Sequence, residues 1–294
     1  MGAPKTPSPQ VLVSGAGGKT GRAVIAALAA RGATVRAIVR RAEQTEYVTS
    51  VGAQEVVTGD IRSPSSWASA VAGVQAVYHI CPNIHPEEHA IGKVAIEAAR
   101  AAACERFVYH SVLHPQTRSM PHHVEKLRVE EELLESGLGY TILQPAAYMQ
   151  NVMVGWRDIV HLGHYRIPYA ASTRLGMVDL ADVAEAAARV LTEPTHNNAI
   201  YELAGPEVLD QAEVADRLTS KLGHQVQVDV IALGAWEARQ RAAGLGDYQI
   251  DALLKMFGHY ERHGFWGNPS VLSWLLGRPP RSFAAFLDTL LPVK

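Results

Sequence analysis

The feature that most constrains this chain is a glycine at every third position, Gly15-x-x-Gly18-x-x-Gly21, between the β-branched stretch QVLVS and the helical run RAVIAALAARG. Glycines so placed allow a tight turn, a close approach of backbone to a bound group, and close packing of the helix on the strand. The turn also presents the first amide N–H groups of the helix, and the positive end of its dipole, where a pyrophosphate can sit. The spacing differs from Gly-x-Gly-x-x-Gly because position 20 is threonine. Gly18-Lys19-Thr20 also imitates the end of an ATPase phosphate loop, but the glycine that motif needs five residues earlier is Val13, inside the strand.

From Gln10 to Leu143, short β-branched runs (QVLVS, ATVRAIV, QEVVT, QAVYHI, RFVYHS, YTIL) alternate with alanine-rich helical stretches beginning near Lys19, Ala42, Ser65, His85 and His122. Strands separated by helices cannot pair through hairpins, and right-handed crossovers then predict a doubly wound parallel Rossmann sheet of class α/β. After Pro145 the rhythm changes: a helix near Ala147 to His161, a strand around Gly176 to Val178, a helix from Asp179 to Leu191, a strand at Ile200 to Leu203, then mostly helix. The expected organisation is a disordered arm over 1–9, a Rossmann core over 10–145, and a smaller, mainly helical substrate lobe over 146–294 with strands returning to the core.

The second strand ends in Val39-Arg40-Arg41, near the place where an NAD-binding chain carries an acid for the ribose 2'-hydroxyl. An arginine there grips a 2'-phosphate instead, so the expected cofactor is NADP(H). His85-Pro-Glu-Glu-His89 and His259-x-x-x-His263 have metal-like spacing, but no distal third ligand accompanies either pair. They are read as polar surface or pocket lining, with Pro86 and the acids suiting a helix start, and no metal is expected.

Charge excludes some partners. With 27 basic and 29 acidic side chains the net charge is -2, which argues against nucleic acid. Two cysteines, Cys81 and Cys104, suggest free thiols in a reducing compartment. No apolar run approaches the roughly 20 residues that span a bilayer, and the first ten residues lack the apolar core of a signal peptide, so a cytoplasmic protein without membrane contact is expected. Gly2 and Thr6 fit Met-Gly-x-x-x-Thr, a pattern too short to carry a prediction of lipidation. A homodimer is left open.

Further segments fall into line with the loop and Arg40: Gly59-Asp60, GVQAVYHI, RFVYHSV, HHVEKLRVEEELLESGLGYTILQPAAYMQN, MVDLADVAEAAARVL and YELAGPEVL. On these the chain resembles the NmrA-like branch of atypical short-chain dehydrogenase/reductases over nearly its whole length. That branch holds triphenylmethane reductases, quinone reductases and redox-sensing regulators that bind the cofactor without obvious turnover. The resemblance implies Gly15, Gly18, Lys19, Thr20 and Gly21 at the pyrophosphate, Arg40 at the 2'-phosphate, and Asp60 with Ile61 beside the adenine. It implies Ile80, Cys81, Pro82, Ser111, Lys126, Pro145 and Tyr148 around the nicotinamide and its ribose.

Ordinary short-chain dehydrogenases use Tyr-x-x-x-Lys, and no tyrosine here has a lysine four residues on; the expected helix shows His122-x-x-x-Lys126. Gln144 stands where relatives often have arginine. Lys126, Ser111 and His122 form the candidate catalytic set, with Lys126 binding ribose and favouring developing negative charge, and His122 a candidate proton donor. The expected function is an NADPH-dependent oxidoreductase passing hydride to a small apolar or aromatic electrophile such as a quinone or conjugated carbonyl. Cys81, Pro82, His85, Ser111, His114, Tyr148, Met149 and Trp156 are the expected pocket lining. The alternative is an NADP(H)-sensing regulatory protein without turnover.

Overall fold

The structure, a computed structural model, describes residues 9–290. Residues 1–8 of the expected arm, with Gly2 and Thr6, lie outside the described residues.

The chain opens with β1 (Gln10–Val13), α1 (Lys19–Ala30), β2 (Thr34–Val39), α2 (Thr45–Thr49), β3 (Glu55–Thr58), α3 (Pro64–Val71), β4 (Ala76–His79), α4 (Glu88–Ala101), β5 (Arg106–His110), α5 (Pro121–Glu135) and β6 (Tyr140–Pro145). It continues through β7 (Ala147–Tyr148), α6 (Trp156–Leu162), β8 (His164–Ile167), β9 (Leu175–Val178), α7 (Leu180–Thr192), β10 (Ala199–Leu203) and β11 (Val208–Leu209). Last come α8 (Gln211–Leu222), β12 (Gln227–Val230), α9 (Leu233–Ala242), α10 (Asp247–His263), α11 (Ser270–Leu276) and α12 (Phe283–Leu290).

Seven strands form one sheet in the order β10-β6-β5-β4-β1-β2-β3. Val11 of β1 lies opposite Val35 of β2 on one side and Ala76 of β4 on the other, both in parallel register. The pairs β2–β3, β4–β5 and β5–β6 are parallel too. The order reverses between β1 and β4, so the carboxyl ends of these strands flank the crevice where doubly wound sheets bind ligands. This is the Rossmann architecture that the alternating pattern predicts. β1 is apolar on both faces because helices cover both: Val11, Leu12 and Val13 are fully buried. On one side Trp67, Ala95, Ala99, Phe107, Tyr109, Val129, Leu133 and Ile142 form a continuous core.

Two compact units divide the backbone. The first holds the residues up to Ser111 with Glu125–Leu143 and Ala184–Tyr201; the second holds Val112–Val124, Gln144–Val183 and Glu202 onwards. In the second, β9 pairs antiparallel with β11 and parallel with β7, and β8 pairs parallel with β12. Helices α8 to α12 make this region largely helical.

Two expectations need correction. The segment read as one helix from Ala147 to His161 is three pieces: β7, 3-10 turns over Met149–Gly155, and α6. Tyr148 is extended because it pairs with Val178, and Gly155 (φ -106, ψ 15) leaves helical geometry before α6 begins. The fourth helix starts at Glu88 rather than near His85, because Ile84 takes a left-handed turn (φ 51) and the chain re-enters helix only three residues after His85. Among the described residues no helix is long and apolar enough to cross a membrane.

Candidate active site

The glycine loop is built as its spacing requires. Gly15 adopts φ 59, and a Cβ there would stand 2.8 Å from the carbonyl oxygen of Ile80 at the end of β4. A Cβ on Gly21 would collide with the Gly15 carbonyl and with Ala16, so α1 starts hard against β1. Gly18 donates to the Gly15 carbonyl at 3.0 Å and is the N-cap of α1. No side chain caps this helix and no acid stands in its first turn. The N-terminus of α1 therefore turns the positive end of its dipole towards the strand ends, which fits a phosphate-bearing cofactor. Beneath the loop, Ser14 Oγ accepts from the Ile80 amide at 3.0 Å and lies 2.8 Å from His79 Nδ1, tying the ends of β1 and β4 together.

Arg40 is exposed at the end of β2. Its amide and that of Arg41 both donate to Gln44 Oε1, at 3.2 and 3.1 Å, and the same Gln44 amide side chain covers Gly17. At the end of β3, Asp60 is gripped by Arg62, whose guanidinium and backbone amide both donate to it (Nη2–Oδ2 2.6 Å, N–Oδ1 2.9 Å). Hydrogen bonds from Arg62, reinforced by the charges of Arg62 and Arg40, hold the Asp60 carboxyl at about 2. The Ile61 carbonyl accepts from the Trp67 indole at 2.8 Å. The ends of β2 and β3 thus bring the charges of Arg40 and Arg62 to bear on one acid, and the excess of positive charge there favours a dianionic phosphate.

The ends of β4 and β5 hold a buried polar cluster. Lys126 on α5, its side chain 11% exposed, donates from Nζ to Glu88 Oε1 at 2.7 Å, and Glu88 is 2% exposed. Tyr109 Oη donates to the same carboxylate oxygen at 2.8 Å. Lys126 Nζ also lies 3.4 Å from the His110 carbonyl and 5.5 Å from the centre of the Tyr109 ring. Ser111 Oγ donates to Glu130, one turn further along α5. Tyr78 Oη and His110 Nδ1 are 2.6 Å apart.

Burial sets the charges of this cluster. Desolvation, then the Lys126 charge, holds His79 and His110 down at about 3, so both imidazoles are neutral near pH 7. Burial, then the Glu88 carboxylate, pushes the Cys81 thiol and the Tyr109 phenol up. Cys81 is therefore a poor nucleophile that packs rather than reacts. Pro82, the next residue, is exposed.

His122, Pro145 and Tyr148 belong to the second unit. His122 is buried, with its ring 4.6 Å from that of His123. The Pro145 carbonyl accepts from the Leu113 amide at 2.9 Å, and half-buried Tyr148 sits in β7. His114, with φ 53, places its carbonyl 3.2 Å from His123 Nδ1. Met149 and Gln144 are buried.

Sequence reasoning missed three residues. Glu88 was visible only as part of a metal-like His-x-x-Glu-His run or as an acid at a helix start. Gln44 had a local signal, a glutamine five residues beyond a strand end and able to reach back to the amides of Arg40 and Arg41. Arg62 had none beyond its nearness to Asp60. Among the described residues no group of three or more His, Cys, Asp or Glu side chains is arranged to hold a metal ion.

The chain is similar to known proteins over nearly its full length. It is 29% identical over 280 residues to the NAD(P)H azoreductase of Xenophilus azovorans, covering 94% of this chain and 96% of that protein. The crystal structure of the Escherichia coli NADPH-dependent quinone oxidoreductase QOR2 with NADPH superposes with a TM-score of 0.83 at 27% identity, over 95% of this chain and 99% of that one. The Citrobacter sp. triphenylmethane reductase complexed with NADP(H) has the same fold, with a TM-score of 0.83 at 24% identity over 96% of this chain and all of that one. The model of the NmrA-like family matches residues 7–277, from before β1 to the end of α11. The glycine loop, the sheet order and the reach of that match together make this chain a member of the NmrA-like family.

Proposed function

We propose that the protein is an NADPH-dependent oxidoreductase that reduces a flat, apolar electrophile of the quinone, azo or conjugated-carbonyl type. One observation carries the reading: along the carboxyl ends of adjacent strands, the first unit sets an uncapped glycine-loop helix and a buried lysine ammonium on either side of the β1–β4 reversal. Full-length similarity to an azoreductase and a quinone oxidoreductase supports it.

Gly15, Gly18, Lys19, Thr20 and Gly21 would hold the pyrophosphate. Arg40, its backbone fixed by Gln44, would meet the 2'-phosphate, with Asp60 and Ile61 beside the adenine. Ile80, Cys81, Pro82, Ser111 and Lys126 would surround the nicotinamide ribose. When bound, NADPH supplies the hydride. The chain's part is position and charge: the Lys126 ammonium favours the negative charge that grows on the acceptor, and the neutral His79 and His110 add no competing cation. The parts of Pro145 and Tyr148 in holding the nicotinamide rest on the family resemblance alone, and His122 stays a candidate proton donor.

The test is single-turnover loss of the NADPH absorbance band with quinones, azo dyes, enones and cationic dyes. Wild type should oxidise NADPH with at least one of these classes. Lys126→Met, at saturating cofactor, should be slower by about 100-fold or more while NADPH affinity falls less, because the interaction is stronger in the transition state. A wild type that leaves NADPH untouched by the whole panel would turn the assignment to a cofactor sensor without turnover.

A further inference from the structure

We propose that Glu88 is a positioning residue of the reductive site: delivered by α4, its carboxylate fixes the Lys126 ammonium at the ends of β4 and β5 and, with Tyr109, makes one buried three-membered acid–base group. The inference rests on the reading above, in which Lys126 acts on the acceptor.

Geometry carries it. Glu88 and Gly92 are one turn apart on the same face of α4, and Lys126 and Val129 share a face of α5. A Cβ on Gly92 would stand 2.6 Å from Val129 Cγ1, so the two helices meet as closely as backbone allows. That contact brings Glu88 Oε1 to 2.7 Å from Lys126 Nζ, across 38 residues of sequence. Further along the same helix pair, Glu132 accepts from His89 Nε2 at 3.1 Å and lies 3.5 Å from Lys93 Nζ, so the helices are pinned on both sides of Gly92.

The groups around Lys126 come from each element packed against it, and buried His122 stands one turn before it on its own helix. From α4 comes Glu88; from β5, Tyr109 and His110; from β4 and the loop after it, His79 and Cys81; from its own helix, Glu130, bonded to Ser111. His79 and His110 are neutral near pH 7, and Cys81 and Tyr109 keep their protons. Glu88 is therefore the anion in direct contact with the ammonium. Without it a long, flexible lysine would be held by one carbonyl and a ring face, and a buried charge would lack its counter-ion.

The experiment compares Glu88→Gln, Glu88→Asp, Tyr109→Phe, Lys126→Met and Glu88→Gln/Lys126→Met, each first shown to be folded by thermal melting. Glu88→Gln, which keeps shape and removes charge, should lower kcat by about 10- to 100-fold while the NADPH Kd changes by less than about 3-fold. The alkaline limb of its kcat profile should move to lower pH, since an ammonium stripped of its counter-ion loses its proton more readily. Glu88→Asp should recover part of kcat and of the profile. Tyr109→Phe should slow turnover less, with the limb in place. In the Lys126→Met background, Glu88→Gln should cost nothing further. If Glu88→Gln fails to fold, the Asp and Phe variants and their profiles decide. Wild-type kcat with an unmoved profile in Glu88→Gln, or equal losses of kcat and NADPH affinity, overturns the positioning role. If Lys126→Met is slow and Glu88→Gln is not, the Glu88 inference alone falls. If Lys126→Met turns over like wild type, the Lys126 assignment falls and takes this inference with it.

Discussion

Glu88 in the first unit and Asp182 in the second are both carboxylates removed from water, yet they are compensated in opposite ways. Asp182, fully buried, accepts from Arg278 Nη2 at 2.8 Å, from Arg281 Nη1 at 2.9 Å and from the Arg281 amide at 2.6 Å. Both arginines are about one-third exposed, and their planar forks cannot give up a proton. The arrangement ties the turn Arg278-Pro279-Pro280-Arg281 to the start of α7 and leaves the acid with nothing else to do. Glu88 meets a lysine that is itself buried, a point charge on a flexible stem whose proton can be exchanged. One buried acid is thus held by two partly exposed planar cations near the surface, the other by a single buried ammonium.

Acidification should break this comparison most strongly. His79 and His110, held at about 3 in the folded protein, titrate near 6.5 when exposed. Above about pH 6.5 they are neutral in both states and stability is indifferent to them. Between about 6.5 and 3 the unfolded chain takes up protons that the folded chain refuses, so stability falls as pH falls, with a slope approaching about two protons. Urea titrations across this range should show that slope, and hydrogen exchange should place the first loss in β4 and β5. A flat stability down to pH 4 would contradict the buried, neutral histidines.

Removing that tie comes next. Asp182→Ala removes the acceptor of Arg278 and of the Arg281 amide, while Arg281 keeps Asp179 at 3.5 Å, and should destabilise the protein by about 1.5 to 3 kcal/mol in urea melts, with NADPH affinity of the folded protein unchanged. A loss below about 1 kcal/mol would put Asp182 in the class of exposed ion pairs. The smallest effect concerns an exposed charge, Arg40, whose contribution is made only with ligand. Arg40→Ala should weaken NADPH binding by about 10- to 150-fold, the equivalent of one charge-assisted contact, and leave NADH binding nearly unchanged. Equal losses for both cofactors would remove Arg40 from the 2'-phosphate.

What was legible in the sequence was local or periodic. The three glycines, the alternation of strands and helices, Arg40 at a strand end and Lys126 on the fifth helix all follow from spacing within some thirty residues. Tyr148 was misread as helical because its extended form depends on pairing with Val178, a partner that spacing does not reveal. Glu88 was hidden for the same reason: its partner is 38 residues away, and its nearest neighbours, His85 and His89, advertise a metal instead. Burial cannot be seen in a sequence either: Cys81 was read as a free thiol lining the pocket, and the structure encloses that thiol beside a carboxylate.

Gly92 has a consequence for how this site can vary. Its single hydrogen acts as a spacer gauge between α4 and α5, and the 2.7 Å contact between Glu88 and Lys126 is cut to that gauge. The tuning of the site therefore resides partly in a residue with no functional group. A methyl group added there would force Val129 or the helix axis to give way. The polar atoms would all survive such a change, and their alignment would not.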